Sequence, residues 1–378
     1  MLMEALNKFS DLIKTPFSVR LPNASEVYLG EQYGNPEFQI IINNDRGLQA
    51  LQSSKELKIC EAYIYQDIDL TGQIDMLKLL ELTRLFSKEH PLIMWWSKFI
   101  YFFKKQTVIN KKSITQHYEF DDDFYLFFLD KTRAYSHGIF TNDNETLETA
   151  NTRKLEFAMN ECHLSQGAKV LDLGAGWGCA VEYLGLKGIH VDAITISQQS
   201  ADYVDNLIKD KKLSNCQIFK IDFIEYQPPK EEHYDALFSL GTLEHLPNYE
   251  QVLTKCSTLL RKGGYAYFDA SAIASKKLIN SDFIHHHIFP GNHQCLDIYR
   301  FLNSVKKSHF DLISVHNDTH NYYLTLKEWA NNLDHHREEI VIRWGDVLYR
   351  KFQIYLWGCC HAMFNNELQA YRIILKKR

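Results

Sequence analysis

The sequence lacks several features that mark particular protein classes. Its eight cysteines include no CxxC pair, which argues against a metal site and a disulfide scaffold in a chain of 378 residues. The formal net charge is −5, so we expect no nucleic-acid partner. No apolar run reaches the roughly 20 residues of a membrane-spanning helix, and the first residues do not resemble a secretory signal. We therefore expect a cytoplasmic protein.

Aromatic and basic residues are concentrated between Pro91 and Val108, where Ser97, Lys98 and Lys104 interrupt an apolar run. This pattern suits a linker helix that packs one domain against another, which we favour, or an interfacial helix that lies on a membrane surface. The chain then divides into an N-terminal α+β domain (1–90), an aromatic and basic linker helix (91–115) and a larger domain with a C-terminal helical extension (116–378).

Strand and helix patterns alternate from about residue 152. The apolar segments AKVLDLG, HVDAITIS, CQIFKID and YDALFSL are separated by amphipathic segments, which predicts a parallel sheet with helices on both faces. Ligands bind such sheets at the carboxyl ends of the strands. Residues 15 to 75 differ, because short apolar runs between turn signals predict a small strand-rich unit there.

A glycine-rich loop follows the first of these strands, with Asp172 two residues before Gly174 in a D-x-G-x-G-x-G arrangement. Dinucleotide sites are spaced G-x-G-x-x-G instead. Asp172 would repel a pyrophosphate, whereas the sulfonium and ammonium groups of S-adenosylmethionine (SAM) suit an acidic neighbour. The next strand ends in hydroxyl and amide residues, Thr195 to Gln199, where NAD sites have an acidic residue. Asp222, after a third strand, lies where such folds commonly bind the adenine amine.

Longer segments resemble the cyclopropane-fatty-acid synthase and mycolic acid methyltransferase family. They are His117-Tyr118 with DDDFYLFFLD, the segment from Tyr135 to Phe140, the loop with Trp177, TISQQ, Leu243-Glu244-His245 and Ile288 to Gly291. The N-terminal unit resembles the extra domain of bacterial phospholipid-acting members. The resemblance implies an α/β class I SAM-dependent methyltransferase fold, with a Rossmann-like sheet, helical lid insertions and a small N-terminal α+β domain.

The resemblance also implies an activity. In that family a methyl group passes from the sulfonium to an alkene carbon, and the resulting carbocation loses a proton as a ring closes. We therefore expect C-methylation of an unsaturated acyl chain or phospholipid in a bacterial cell. Contact with the inner face of the membrane and a homodimer are further expectations. The alternatives are a methyltransferase for a small soluble metabolite, and a protein that binds SAM or lipid without turnover.

The family's base is a bicarbonate ion held by Cys, Glu, His and Tyr. Glu244 and Tyr322 stand at the Glu and Tyr positions, whereas His137 replaces the Cys and Asp269 replaces the His. Tyr118 completes the catalytic residues that we infer from the resemblance. Two carboxyl groups close together raise one another's pKa and disfavour a third anion, which argues against bound bicarbonate.

Three interpretations of these substitutions stay open. His137, oriented by Glu244 or Asp269, could be the general base. Alternatively, the base site has been lost and Asp269 forms a structural hydrogen bond. In the third interpretation the cation is quenched differently and the product is a methyl-branched or methylated unsaturated chain.

The predicted cofactor-binding residues match positions of the family or belong to the loop and strand ends described above. Ser200 stands where the family often has Gln, so Gln199 is predicted to serve instead. The set is Tyr135, Ser136, Asp172, Gly174, Gly176, Trp177, Gly178, Thr195, Ser197, Gln199 and Asp222. The tract His285-His286-His287 is interpreted as a solvated run, because consecutive side chains point in different directions.

Overall fold

The computed structural model describes residues 2–53, 55–72, 75–77, 80, 122–228, 233–246, 248–274, 281–289 and 294–378. The chain forms two compact units. The first comprises Met1–Lys104, Asn280–Ile288 and Leu333–His361, and the second comprises Lys105–Ile279, Phe289–Asn332 and Ala362–Arg378. The predicted linker helix at 91–115 lies outside the described residues, and the proposed domain boundaries remain predictions.

The first unit contains a four-stranded sheet with the order β2-β1-β3-β4, in which β1 and β3 are parallel and the other pairs are antiparallel. Phe17 and Phe38 stack in its core with ring centroids 5.0 Å apart. The predicted N-terminal α+β architecture is confirmed. Its elements are α1 (Leu2–Ile13), β1 (Phe17–Arg20), β2 (Glu26–Leu29), a 3₁₀ turn (Glu31–Tyr33), β3 (Phe38–Ile42), α2 (Asp45–Ser53), α3 (Glu56–Ile64) and β4 (Ile68–Gly72).

A seven-stranded sheet organises the second unit, with the order β10-β11-β9-β8-β5-β6-β7. The strands β5 to β9 are parallel, and β11 is antiparallel to both of its neighbours. The strand order reverses between β5 and β8, which is where open parallel sheets bind ligands. The strands are β5 (Lys169–Leu173), β6 (His190–Thr195), β7 (Cys216–Lys220), β8 (Tyr234–Leu240), β9 (Leu260–Ile273), β10 (Phe310–Asn317) and β11 (Leu368–Lys377).

Both faces of this sheet are covered. Val170 and Leu171 are adjacent in β5, so their side chains point to opposite faces, and each belongs to a separate buried apolar cluster. The helices of the second unit are α4 (Asp122–Leu126), α5 (Leu147–Glu161), α6 (Cys179–Leu186), α7 (Gln198–Asp210), α8 (Tyr249–Leu259), α9 (Ile298–Lys307) and most of α10 (Thr319–His335), with a 3₁₀ turn at Leu243–His245. The first unit also contains α11 (Arg337–Trp344), most of α12 (Asp346–Phe364) and a π-helical turn at Ile284–Ile288. No described helix is long and apolar enough to cross a membrane.

The C-terminal segment corrects one prediction. The expected C-terminal helical extension agrees with α10 to α12, but residues 368–377 form the strand β11 instead of a helix. This strand inserts between β9 and β10, and Ile373, Ile374 and Leu375 are fully buried. A strand covered on both faces has a continuous apolar run rather than an alternating one, so its periodicity does not distinguish it from a helix.

Candidate functional site

The glycine loop joins β5 to α6 and is tied to the neighbouring strand. The backbone N–H groups of Gly174 and Ala175 donate to the carbonyl oxygen of Ile194 at 3.0 and 2.9 Å. Gly174 has a φ of 100°, and a Cβ atom there would lie 2.4 Å from Thr242 Oγ1. This position therefore requires glycine both for its backbone conformation and for space.

Gly176 lies in a different environment. Its φ is 51°, and a Cβ atom there would have its nearest neighbour, the Gly174 carbonyl oxygen, at 3.9 Å. Ser200 Oγ donates to the Gly176 carbonyl oxygen at 2.7 Å, which anchors the loop. The space that a Cβ atom of Gly176 would occupy is open. Ser200 is the residue that departs from the family pattern, and here it fixes the loop.

Trp177 and Gly178 complete the loop. The Trp177 side chain is almost fully buried, with the rings of Tyr125 and Tyr203 at centroid distances of 5.4 and 5.5 Å. Gly178, with a φ of 77°, forms the N-cap of α6, and a Cβ atom there would lie 2.5 Å from Leu207 Cδ2. In these positions Trp177 supports the loop through packing, and Gly178 allows α7 to approach it.

The ends of β6 and β7 carry the other predicted cofactor residues. Ser197 forms the N-cap of α7 by accepting a hydrogen bond from Ser200 N at 3.3 Å, and Thr195 Oγ1 accepts from Ser197 N at 3.2 Å. Gln199 lies half-buried in the first turn of that helix. Asp222 follows β7, and its Oδ1 accepts from Ile224 N at 2.9 Å. The structure thus brings these residues to the carboxyl edge of the sheet, beside the glycine loop.

Asp172 is buried in β5 directly below this loop. Burial, and secondarily the charge of Asp269, raise the pKa of its carboxyl group to about 7. Its Oδ1 atom has no hydrogen-bond partner within the described ranges. A cationic group bound above the loop would favour the ionised carboxylate.

Asp269 is already paired. Its Oδ2 lies 3.8 Å from Lys154 Nζ, and both side chains are fully buried. Lys154 Nζ also donates to Ser136 Oγ at 2.6 Å, and Asp269 Oδ1 accepts from Gly241 N at 2.7 Å. This arrangement supports the structural interpretation of Asp269 and joins Ser136 to the end of β8. The sequence analysis did not identify Lys154 as a site residue, although a lysine on the buried face of a helix indicates a buried partner.

Glu244 is a third buried carboxyl group of the site, after Asp172 and Asp269. Its Oε1 accepts hydrogen bonds from the backbone N and the Oγ of Ser271, at 2.7 and 2.9 Å. Burial raises its pKa to about 7, although the hydrogen bonds from Ser271 oppose this shift. Within the described part of the chain its Oε2 makes no hydrogen bond.

His137 has a partner that the sequence did not predict. Its Nε2 lies 3.1 Å from Asp318 Oδ2, so the prediction that Glu244 or Asp269 orients His137 is wrong. The Arg372 guanidinium donates to both oxygens of Asp318, from Nε to Oδ2 and from Nη2 to Oδ1. Burial alone would raise the pKa of Asp318, but the hydrogen bond from His137 and the charge of Arg372 lower it to about 2.

One aromatic ring lies against His137, and further rings pack near the same segment. The Tyr322 ring centroid lies 5.1 Å from that of His137, and Trp329 lies 5.2 Å from Tyr135. Tyr135 is also 5.5 Å from Tyr125. The structure therefore brings Tyr135, His137 and Tyr322 together, whereas Tyr118 lies outside the described residues.

The histidine tract lies in the first unit, on the π-helical turn. His286 is exposed, but His287 Nε2 lies 3.2 Å from Glu61 Oε1 and its side chain is 12% exposed. The prediction of a solvated run is therefore wrong for His287, because this residue lies against Glu61 of α3. Among the residues that the structure describes, no three His, Cys, Asp or Glu side chains form a group that could hold a metal ion.

The sheet order and the glycine loop at its switch point define the class I SAM-dependent methyltransferase fold. The profile of the mycolic acid cyclopropane synthetase family matches residues 105–373. The chain belongs to this family. A domain of unknown function, DUF7884, matches residues 5–84.

Similar proteins include a probable fatty acid methyltransferase of Mycobacterium tuberculosis, 24% identical over 70% of this chain and 62% of its own length. The sphingolipid C9-methyltransferase of Candida albicans is 26% identical over 71% of this chain and 55% of its own length. The chain thus spans 55% to 62% of the length of these two relatives. Cyclopropane mycolic acid synthase 1 of Mycobacterium tuberculosis is 25% identical, and the match covers 65% of this chain and 90% of that protein.

Solved structures confirm the fold. The cyclopropane synthase MmaA2 from Mycobacterium tuberculosis is similar with a TM-score of 0.66 and 23% identity, over 71% of this chain and 98% of that one. Coclaurine N-methyltransferase, bound to N-methylheliamine and S-adenosylhomocysteine, has a TM-score of 0.65 and 19% identity, over 88% of this chain and 100% of that one. At these identities the likeness concerns the fold alone.

Proposed function

We propose that this chain is a SAM-dependent C-methyltransferase that acts on an unsaturated acyl chain of a lipid. The observation that carries the proposal is the free Cβ position at Gly176 in a glycine loop that follows the buried Asp172, at the switch point of the sheet. No dinucleotide-type acidic residue follows β6, which ends in Thr195.

The residues at the carboxyl edge fit SAM. Asp172 would balance the positive charge of its sulfonium and ammonium groups, and the backbone at Gly176 allows close approach. Thr195, Ser197 and Gln199 offer hydroxyl and amide groups to ribose, while Asp222 offers a carboxylate to the adenine amine. Bound SAM would supply an activated methyl group.

Family membership supports a lipid acceptor, since the three relatives compared by sequence are a probable fatty acid methyltransferase, a sphingolipid C9-methyltransferase and a cyclopropane mycolic acid synthase. The ring cluster of Tyr125, Tyr135 and Trp329, with Tyr322 against His137, supports it physically, because apolar surroundings suit an acyl chain and exclude water from the reacting carbon. Since SAM supplies the activated methyl group, the protein has to align the alkene with that group.

The alternative of a soluble metabolite depended on His137 and Asp269 as free polar groups of a pocket. Both already have buried partners: His137 Nε2 lies 3.1 Å from Asp318 Oδ2, and Asp269 pairs with Lys154. We therefore retain the lipid acceptor as the proposed substrate class.

Labelled methionine tests this function in cells. Cells that produce the wild type should incorporate methyl label into extracted acyl chains, and cells that produce Gly176→Asp should not, because the new carboxylate would fill the cofactor space. Gly167→Asp is the matched control, since Gly167 also has a positive φ and nothing lies within 4 Å of its Cβ position. Label in soluble compounds, with none in acyl chains, would contradict the proposal.

A further inference from the structure

Methyl transfer to an alkene leaves a proton to be removed. The alkene π pair forms the new C–C bond, the S–CH₃ bond breaks with its electron pair left on sulfur, and the neighbouring carbon becomes positive. Loss of a proton from the new methyl group closes a ring, and loss from an adjacent carbon gives a methyl-branched alkene. In both cases the C–H electron pair neutralises the cation. The site therefore needs a base that is shielded from water, because water would quench the cation.

A bound bicarbonate ion does not fit the described residues. Both buried cations of the site are already paired, Lys154 with Asp269 and Arg372 with Asp318. Glu244 adds a buried carboxyl group, and no ion pair to a described residue compensates it. A bicarbonate ion bound here would lie near these carboxyl groups, and no unpaired cation among the described residues of the site would balance its charge. Such an arrangement is unfavourable in a buried site.

His137 is a neutral alternative to such an ion. Since Arg372 fixes the Asp318 carboxylate, that carboxylate accepts the Nε2–H of His137 and selects this tautomer. The lone pair then lies on Nδ1, which makes no hydrogen bond to any residue that the structure describes. The imidazolium that forms when Nδ1 takes a proton would be stabilised by the Asp318 charge.

The position of His137 agrees with this role. It directly follows Ser136, whose Oγ lies 3.4 Å from Asp269 Oδ2, at the carboxyl edge of the sheet. The next residue, Gly138, donates its N–H to Thr325 Oγ1 at 3.0 Å, so the segment is fixed on α10. Its side chain is fully buried, as a base for a carbocation must be.

We propose that His137 Nδ1 accepts the proton released after methyl transfer, and that Asp318 and Arg372 are positioning residues that hold it, in place of bound bicarbonate. This inference rests on the proposed function. Asp318 would fix the tautomer of His137, and Arg372 would hold the Asp318 carboxylate in place.

The test uses the full chain, methyl-labelled SAM and vesicles of dioleoylphosphatidylglycerol. Wild-type activity should be the same in carbonate-free buffer and after addition of bicarbonate. His137→Gln should lower kcat by about 100-fold or more, with SAM affinity retained. Asp318→Asn should lower kcat while the KM for the lipid and the affinity for SAM stay unchanged, because the carboxylate that fixes the His137 tautomer is lost. A merely structural role would weaken binding as well.

His320→Gln is the matched control, because His320 lies two residues after Asp318, at the start of α10, in an exposed pair with Asp143 at 2.8 Å. It should leave the activity unchanged. A bicarbonate requirement in the wild type, or undiminished kcat in a folded His137→Gln variant, would overturn this inference alone. If His137→Gln does not fold, the wild-type bicarbonate comparison decides. Absence of any methyl transfer by the wild type would instead overturn the proposed function.

Discussion

Lys154 and Asp269 form a buried ion pair, with 3.8 Å between Nζ and Oδ2 and no exposed surface on either side chain. The pair connects α5 to β9, and through Ser136 and Gly241 it also fixes the backbone at the carboxyl edge of the sheet. A buried pair of this kind contributes to specificity of structure more than to net stability, but removal of one partner leaves an uncompensated charge.

Lys154→Met should therefore destabilise the second unit by about 3 to 5 kcal/mol, because Asp269 would remain buried without a cation. Asp269→Asn in the same chain should recover part of this loss. Urea unfolding of the two single variants and the double variant measures the coupling. Lys209→Met removes an exposed pair with Asp205 and should change little. Equal effects of the two lysine variants would contradict the prediction.

Cofactor affinity should depend on pH through Asp172. Its pKa is raised to about 7 by burial and by Asp269, and a bound cation favours the ionised form. Binding of SAM therefore expels a proton below about pH 7, so affinity should rise as the pH increases towards about 7 and then level off. Calorimetry should show this proton release in the wild type. Asp172→Asn should bind more weakly and without this rise, and a flat wild-type profile would refute the assignment.

Alanine substitutions at two glycines of the loop should affect different properties, stability at Gly174 and SAM affinity at Gly176. Gly174→Ala should be strongly destabilised, because its Cβ would lie 2.4 Å from Thr242 Oγ1 at a φ of 100°. Gly176→Ala has room and should lose only about 1 kcal/mol of stability, yet it should bind SAM much more weakly. Thermal unfolding and calorimetry measure the two effects. Gly167→Ala should show a similar small stability loss with normal binding, and normal SAM affinity of Gly176→Ala would place the cofactor elsewhere.

Glu244 should make the protein less stable as the pH rises. Its carboxyl pKa is raised from 4.5 to about 7, mainly by burial, so the native state binds more protons than the unfolded chain between these values. The free energy of unfolding should fall across this window, by up to about 3 kcal/mol from this group. Glu244→Gln should remove this contribution. Urea unfolding from about pH 5 to about pH 8 checks it, and parallel profiles of the two proteins would contradict it.

Much of the fold follows from local patterns in the sequence. The alternation from β5 to β8 predicts the parallel sheet, because each strand and helix has its own periodicity. The strand β11 could not be predicted in this way, because the apolar run around Ile373 is also compatible with a helix. Its place between β9 and β10 depends on residues that are distant in the sequence. Register and insertion of this kind are set by tertiary packing.

The residues of the candidate site also fall into those that local motifs predict and those that only the tertiary fold brings together. The glycine loop and Glu244 could be found from motifs, because these have fixed local spacing. Asp318 could not, since it lies 181 residues from His137 and the two meet through the fold alone. Arg372 lies within an apolar segment of the sequence, which indicates a buried partner, because a charged residue in a core is rarely unpaired. The sequence alone does not identify that partner as Asp318.

The most direct test of C-methylation supplies the purified chain with SAM that carries a trideuterated methyl group, together with dioleoylphosphatidylglycerol vesicles. Mass spectrometry of the released acyl chains should show deuterium on carbon, with two of the three atoms retained in a cyclopropane or all three in a methyl branch. Deuterium confined to the headgroup, or acyl chains without deuterium although the protein binds SAM, would contradict the proposed function.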